Sequence, residues 1–231
     1  MSLKLAVFYH GLFFGRDGEL LPAAFFVVLE QMMALQQSGL LDACSELLVG
    51  LNGIPGPTME YAKVVIPHKA RIILHGADSF AENPTLLEME KFSKSHEDWL
   101  LCYHHSKSAT HHPGSDYGKF ATRWRRCMQE TVIWNWKTCV QWLESGSCEA
   151  VGNHWLTGQG WDHSQHYFAG NFFWVTAKFF NTIPSILTRD RIRTSGLSSA
   201  ESRYEAEVIL GNGPRPPIIR DMANHGLMQC P

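Results

Sequence analysis

The sequence predicts an α/β protein of the Rossmann-like kind, with a mostly parallel central sheet and helices on both faces. Short apolar runs at Leu3–His10, Glu46–Leu51, Arg71–Leu74 and Leu100–Tyr103 alternate with helical patterns, the order that builds parallel strands joined by crossover helices. The first, third and fourth runs end in histidines, and the second in Asn52-Gly53. In an open sheet such strand ends form the ligand crevice. A chain of 231 residues, 45% hydrophobic, can bury one sizeable core, so a single domain spanning 1–231 is expected.

Taken in order, Leu3–His10 is the first strand, and a glycine-bearing loop leads to Pro22, suited to the first turn of a helix over Ala23–Ser38. Gly39 is placed to end that helix, and Glu46–Leu51 makes the second strand. The prolines between Ile54 and Lys69 predict a turn with a short extended piece at Val64–Ile66. Arg71–Leu74 is the third strand, followed by a helix with Asn83 as N-cap and Pro84 at its first position, running to about Ser95. After the fourth strand, apolar residues at three- and four-residue spacing from Trp124 to Leu143 predict one helix over Tyr117–Ser145. Glu149–Trp155 and the aromatic His166–Val175 read as strands and Ser199–Leu210 as a helix, while Gly211–Pro231 reads as a surface tail.

A net charge of −2 and a pI near 6.6 give no basic field for nucleic acid or for an anionic membrane surface, so an anionic ligand must be met locally. No run reaches the length of a membrane span, and the first ten residues are too short and too polar for a signal segment. Cys44, Cys102, Cys127, Cys139, Cys148 and Cys230 form no CxxC pair, which predicts buried reduced thiols and a cytoplasmic setting. Oligomeric state is not fixed. The chain lacks GxGxxG and GxxxxGK[ST], which argues against the standard dinucleotide and P-loop sites.

The richest segment is Trp99–Ser108, where an apolar strand runs into His104, His105, Ser106 and Lys107. On strand topology, Tyr9, His10 and Asp78 stand where a nucleotide base would be met. His104 and His105 lack the further spaced ligands that a transition-metal site requires. His111 and His112 follow in a loop that could close over a ligand.

The order of elements resembles the GT-A fold of nucleotide-sugar glycosyltransferases over roughly residues 3 to 210. Three segments carry it: His166-Tyr-Phe-Ala-Gly-Asn-Phe-Phe-Trp174 with Ala177-Lys-Phe-Phe and Ile183-Pro184, Tyr103-His-His-Ser-Lys107, and Arg123-Trp-Arg-Arg-Cys-Met128. They look like the H-x-x-G-N-F-W-W, Y-x-H-[ST]-K and W-R-x-x-M elements of small polysaccharide-associated glycosyltransferases of bacteria and phages. That resemblance implies transfer of a hexosyl group from a nucleoside-diphosphate sugar, a UDP-sugar first, to a hydroxyl of a carbohydrate or other acceptor.

The chain departs from that fold family at the fourth strand, where an Asp-x-Asp pair usually holds a divalent metal against the diphosphate. Here stand His104, His105, Ser106 and Lys107, with no acidic residue until Asp116. Hard cations want oxygen ligands, whereas a lysine can neutralise a leaving diphosphate directly. The expectation is therefore metal-independent transfer without a cofactor, with Lys107 at the diphosphate, assisted by Arg123 or Arg126. His166, Gly170, Asn171 and Trp174 are expected around the sugar or acceptor, with Trp161 a further stacking surface. The resemblance puts the general base of an inverting displacement at Arg203-Tyr-Glu-Ala-Glu207, in Glu207 or Glu205, with Asp162 the outside choice. Two alternatives stay open: a catalytically silent sugar- or nucleotide-binding module of the same fold, and a nucleotidyltransferase.

Overall fold

A computed structural model describes residues 4–15, 17–76, 81–158, 166–197, 199 and 202–223. Its centre is a seven-stranded sheet in the order β3-β2-β1-β4-β8-β5-β9. β1 (Leu5–Leu12) pairs in parallel with β2 (Glu46–Asn52) and β4 (Leu100–His105), and β2 pairs in parallel with β3 (Arg71–His75). β8 (Phe173–Thr176) runs antiparallel to β4 and to β5 (Ala150–Gly152), which pairs in parallel with β9 (Ile219–Asp221). The expected mostly parallel Rossmann-like sheet is the architecture of this chain.

The two-residue repeat of a strand divides the core. Leu5, Val7 and Tyr9 point into a layer with α1 (Pro22–Gln37), α3 (Pro55–Val65), α5 (Asp116–Gln129) and α6 (Trp136–Glu144). Ala6 and Phe8 point into the other, beneath α4 (Asn83–Lys94), α7 (Ala177–Phe180) and the Ile209–Asn212 turn that follows α9 (Arg203–Glu207). Helices α2 (Leu40–Ala43) and α8 (Asp190–Ser195) complete the described set. No described helix is long and apolar enough to cross a membrane.

Several expected elements change. The 55–65 segment is a helix, because Pro55 and Pro57 fall in its first turn, where the missing N–H groups would have no helical partner anyway. Glu82, not Asn83, is the N-cap of α4. The long helix of 117–145 is broken at Glu130–Trp134 by a π turn, and the Val132 carbonyl accepts the indole N–H of Trp174 at 2.8 Å. The aromatic strand of 166–175 is two strands: β7 (His166–Phe168) pairs with β6 (Trp155–Thr157), and a turn through Gly170 (φ 89°) and Asn171 (φ 59°) sends the chain into β8. Part of the expected surface tail is the edge strand β9, whose Asp221 carboxylate accepts from the backbone N–H groups of His154 and Trp155. Cys44, Cys102, Cys139 and Cys148 are free and buried as expected, whereas Cys127 is disulfide-bonded.

His104 lies wholly in the core between the rings of Tyr9 and Phe172, with both ring nitrogens unpartnered. Burial, then the neighbouring His105, pushes its pKa down to about 3. The unfolded chain takes up this proton below about pH 6.5 and the native state does not until about pH 3, so stability is lost as pH falls through that window. His104 alone should remove roughly 2 kcal/mol between pH 6.5 and 5, and burial depresses His10 and His75 in the same direction. Urea unfolding at pH 7 and pH 5 should show this loss reduced by about that amount in His104→Phe.

Candidate functional site

The site forms at the carboxyl end of β4, where strand alternation sorts the two adjacent histidines. His104 faces the α1 and α5 layer, and His105 faces α4 and α9. His105 is tied down on both sides. Its carbonyl accepts from Gln31 Nε2 of α1 at 3.0 Å, and its ring Nε2 donates to the Gly170 carbonyl at 2.9 Å. A carbonyl only accepts, so Nε2 carries the proton.

Glu82 gathers the neighbouring donors. Its Oε2 accepts from the Tyr103 hydroxyl at 2.8 Å and from Asn171 Nδ2 at 2.9 Å, and it lies 3.7 Å from His105 Nε2. This joins the start of α4, the end of β4 and the Gly170–Asn171 turn in one cluster. Nothing in the sequence singled Glu82 out, because its place at the N-cap of α4 is a fact of packing. The available signal was its position just before Asn83-Pro84, at the crevice end of a helix.

Glu207 completes the group. Burial raises its pKa, Glu82 adds to the rise, and Lys107, His105 and Arg203 oppose it. Glu205, two residues earlier, faces the other way. Its carboxylate lies 4.0 Å from Arg191, beside a cavity of about 300 Å³ shared with Arg189 and Pro184. The pair left open by the sequence is thus separated: Glu207 shares the field of Lys107 and His105, and Glu205 belongs to an arginine cluster.

Lys107 lies with its ammonium 4.5 Å from the centre of the Trp124 ring. Its loop is held by Arg125, which is almost fully enclosed, and whose Nε donates to the hydroxyl of Ser108, a residue at φ 75°. Lys107 also helps burial lower the pKa of His111. With His112, Leu21, Pro22 and Ala109, His111 lines a cavity of about 360 Å³ at the start of α1.

The remaining expected residues divide by burial. Tyr9 is enclosed with its hydroxyl on Gln31. His10 is enclosed too, its Nδ1 hydrogen-bonded to Thr85 at 2.8 Å and its Nε2 paired with Asn52 Nδ2 at 3.1 Å. Trp174 is buried on both faces beneath the π turn. With His104, these are core groups in this structure, although the sequence placed them against nucleotide or sugar. Arg126 is exposed, but it shares Glu30 with Arg125 at 3.0–3.1 Å, while Arg123 lies exposed on α5. Although burial alone would raise it, hydrogen bonds from Arg126 and Arg125 hold the Glu30 carboxyl low. His166 lies on β7 with its ring parallel to Trp155, centres 6.4 Å apart. Asp78, Asp162 and Trp161 lie outside the described residues.

The residues at the end of β4 and just after it, His104 to Lys107, offer no carboxylate to a hard divalent cation: the first histidine is buried, the second has Nε2 committed to a carbonyl, and the next charged group is an ammonium. Among the described residues no three His, Cys, Asp or Glu groups converge as a metal site.

Gly170 is needed for its backbone. At φ +89° a Cβ would lie 2.4 Å from Met128 Sδ. Gly170→Ala should cost about 1–2 kcal/mol in urea unfolding, and any activity should fall further, since the same residue's carbonyl orients His105.

No family model matches the chain, and no curated protein matches it. Among solved structures, a 4-diphosphocytidyl-2C-methyl-D-erythritol synthase is similar over 96% of this chain and 89% of its own, at 9% identity and a TM-score of 0.40. The corresponding synthase from Anaerococcus prevotii DSM 20548 is similar over 78% and 73%, at 10% identity and a TM-score of 0.42. A mycobacterial protein is similar over 85% of this chain and 63% of its own, at 14% identity and a TM-score of 0.45.

Proposed function

We propose that this chain is a glycosyltransferase that moves a hexosyl group from a nucleoside-diphosphate sugar, a UDP-sugar first, to an acceptor hydroxyl, with inversion and without a bound metal. The observation that carries the reading is the His105–Glu82 pair at the carboxyl end of β4, with the Glu207 carboxylate inside the electrostatic reach of both and of Lys107. A half-buried carboxylate with a raised pKa is a stronger base than a fully solvated one, and it lies within the field of a lysine able to meet a leaving diphosphate.

In this reading the acceptor hydroxyl attacks the anomeric carbon, its proton passes to Glu207, and the bond to the diphosphate breaks with its negative charge facing Lys107. The cavity beside His111 and the start of α1 supports placing the nucleotide portion next to Lys107. Trp124 supports the lysine from below. Asn171 contributes by keeping Glu82 in place, because its amide is already engaged there.

A thermal-shift screen over nucleoside diphosphates, nucleotide sugars and nucleoside triphosphates, each with and without Mn²⁺, tests the reading, since a ligand bound only by the folded chain raises its melting temperature. Stabilisation by a UDP-sugar without Mn²⁺ is the expected result. Stabilisation by triphosphates alone and only with metal would replace the reading by nucleotidyl transfer.

A further inference from the structure

The Glu82 cluster has a polarity that the proposed reaction does not use. His105 is fixed by its Nε2–H on the Gly170 carbonyl and by the Phe172 ring, whose centre lies 5.0 Å away. Glu82, anchored by Tyr103 and Asn171, backs the same nitrogen at 3.7 Å. Nδ1 therefore bears the lone pair whenever the ring is neutral, and among the described residues it has no protein partner. A lone pair can receive a hydroxyl proton, whereas a phosphate oxygen, which only accepts, gives it nothing.

Resting on the proposed transferase reading, we infer that His105 reads a hydroxyl of the donor sugar through Nδ1, and that Glu82 is a positioning residue that holds the imidazole and the Gly170–Asn171 turn for this contact. Lys107 then answers for the diphosphate and His105 for the sugar, a division that separates a nucleotide sugar from the bare nucleotide. Glu82 acts on the sugar only through His105, so its loss should weaken sugar-dependent affinity and leave nucleotide affinity in place.

The test uses the full chain with ¹⁵N-labelled histidine at pH 8, above the ordinary imidazole value of about 6.5, with UDP-glucose, UDP-galactose and UDP as probes. The His105 signals are those missing from His105→Phe. The expected result is a neutral ring protonated at Nε2, with an Nδ1 resonance that moves on adding at least one UDP-sugar and stays put with UDP. By calorimetry His105→Phe and Glu82→Ala should bind that sugar nucleotide about tenfold more weakly, the loss of one hydrogen bond, and bind UDP within about twofold of the parent. Glu82→Gln, whose amide oxygen can still accept from Tyr103 and Asn171, should restore the sugar-dependent affinity. His105→Phe keeps the test open if Glu82→Ala does not fold.

A proton on Nδ1, a response to UDP alone, equal weakening for UDP and the UDP-sugars, or no response to either sugar while UDP binds would each overturn the inference. Nδ1 responding to a UDP-sugar that is never turned over would defeat the transferase reading and leave the hydroxyl contact standing. A chain that binds none of the three probes overturns both.

Discussion

Replacing Glu207 by glutamine should lower kcat by roughly 10²–10⁴, the range for a lost general base, without loosening the fold. Burial raises this carboxyl's pKa, so the native state holds its proton more tightly than the unfolded chain. Such a group contributes stability at low pH that is lost as pH rises through its titration. At neutral pH the glutamine variant should therefore melt slightly higher than the parent while being nearly inactive, a combination that marks a residue kept for chemistry and not for packing. The parent's rate should fall on acidification through a value above the ordinary carboxylate range, and that limb should vanish with Glu207. Glu205→Gln is the internal control: its carboxylate faces Arg191, and turnover should stay within about twofold. Steady-state kinetics from pH 5 to 9 with thermal unfolding of the same variants checks each part.

The second large effect belongs to Lys107. Lys107→Met should reduce kcat by roughly 10²–10³, the cost of removing one group that stabilises charge developing in a transition state, and should weaken UDP binding as well. The methionine retains contact with Trp124, so stability should change little. Arg126→Gln should leave turnover close to the parent, because that guanidinium is already shared with Glu30. A comparable loss from both variants would instead point to a diffuse basic surface as the source of affinity.

The fold was largely legible in the sequence, since apolar runs of strand length between helical patterns leave few arrangements other than a mostly parallel sheet. The misreadings share a cause. Pro55 and Pro57 read as turn residues because a proline in a first helical turn and one in a loop look alike without the third dimension. The break in 117–145 turns the Val132 carbonyl toward Trp174, about forty residues downstream, and the division of 166–175 falls at a Gly-Asn pair whose positive φ values local sequence leaves open.

The grouping at the end of β4 was partly legible, because residue type alone draws attention to the lysine and histidines there. Lys107, His105, Gly170, Asn171 and Glu207 do come together around the end of β4. Tyr9, His10, His104 and Trp174 were misplaced because a strand running to the crevice shows its alternate side chains to the core, and only pairing register says which. Glu82 was missed because a glutamate before a helix is ordinary in sequence; two donors, one from β4 and one from the Gly170–Asn171 turn, with His105 Nε2 at 3.7 Å, set it apart.

The central claim of the proposed reading is that a lysine meets the charge of the departing diphosphate where the fold that the sequence resembles usually places a metal. Release of UDP from a panel of UDP-sugars, followed in excess EDTA and again with added Mn²⁺, tests it most directly. The account predicts release in EDTA at a rate that Mn²⁺ raises little and that Lys107→Met abolishes. Release only with Mn²⁺, at a rate indifferent to Lys107, would contradict it.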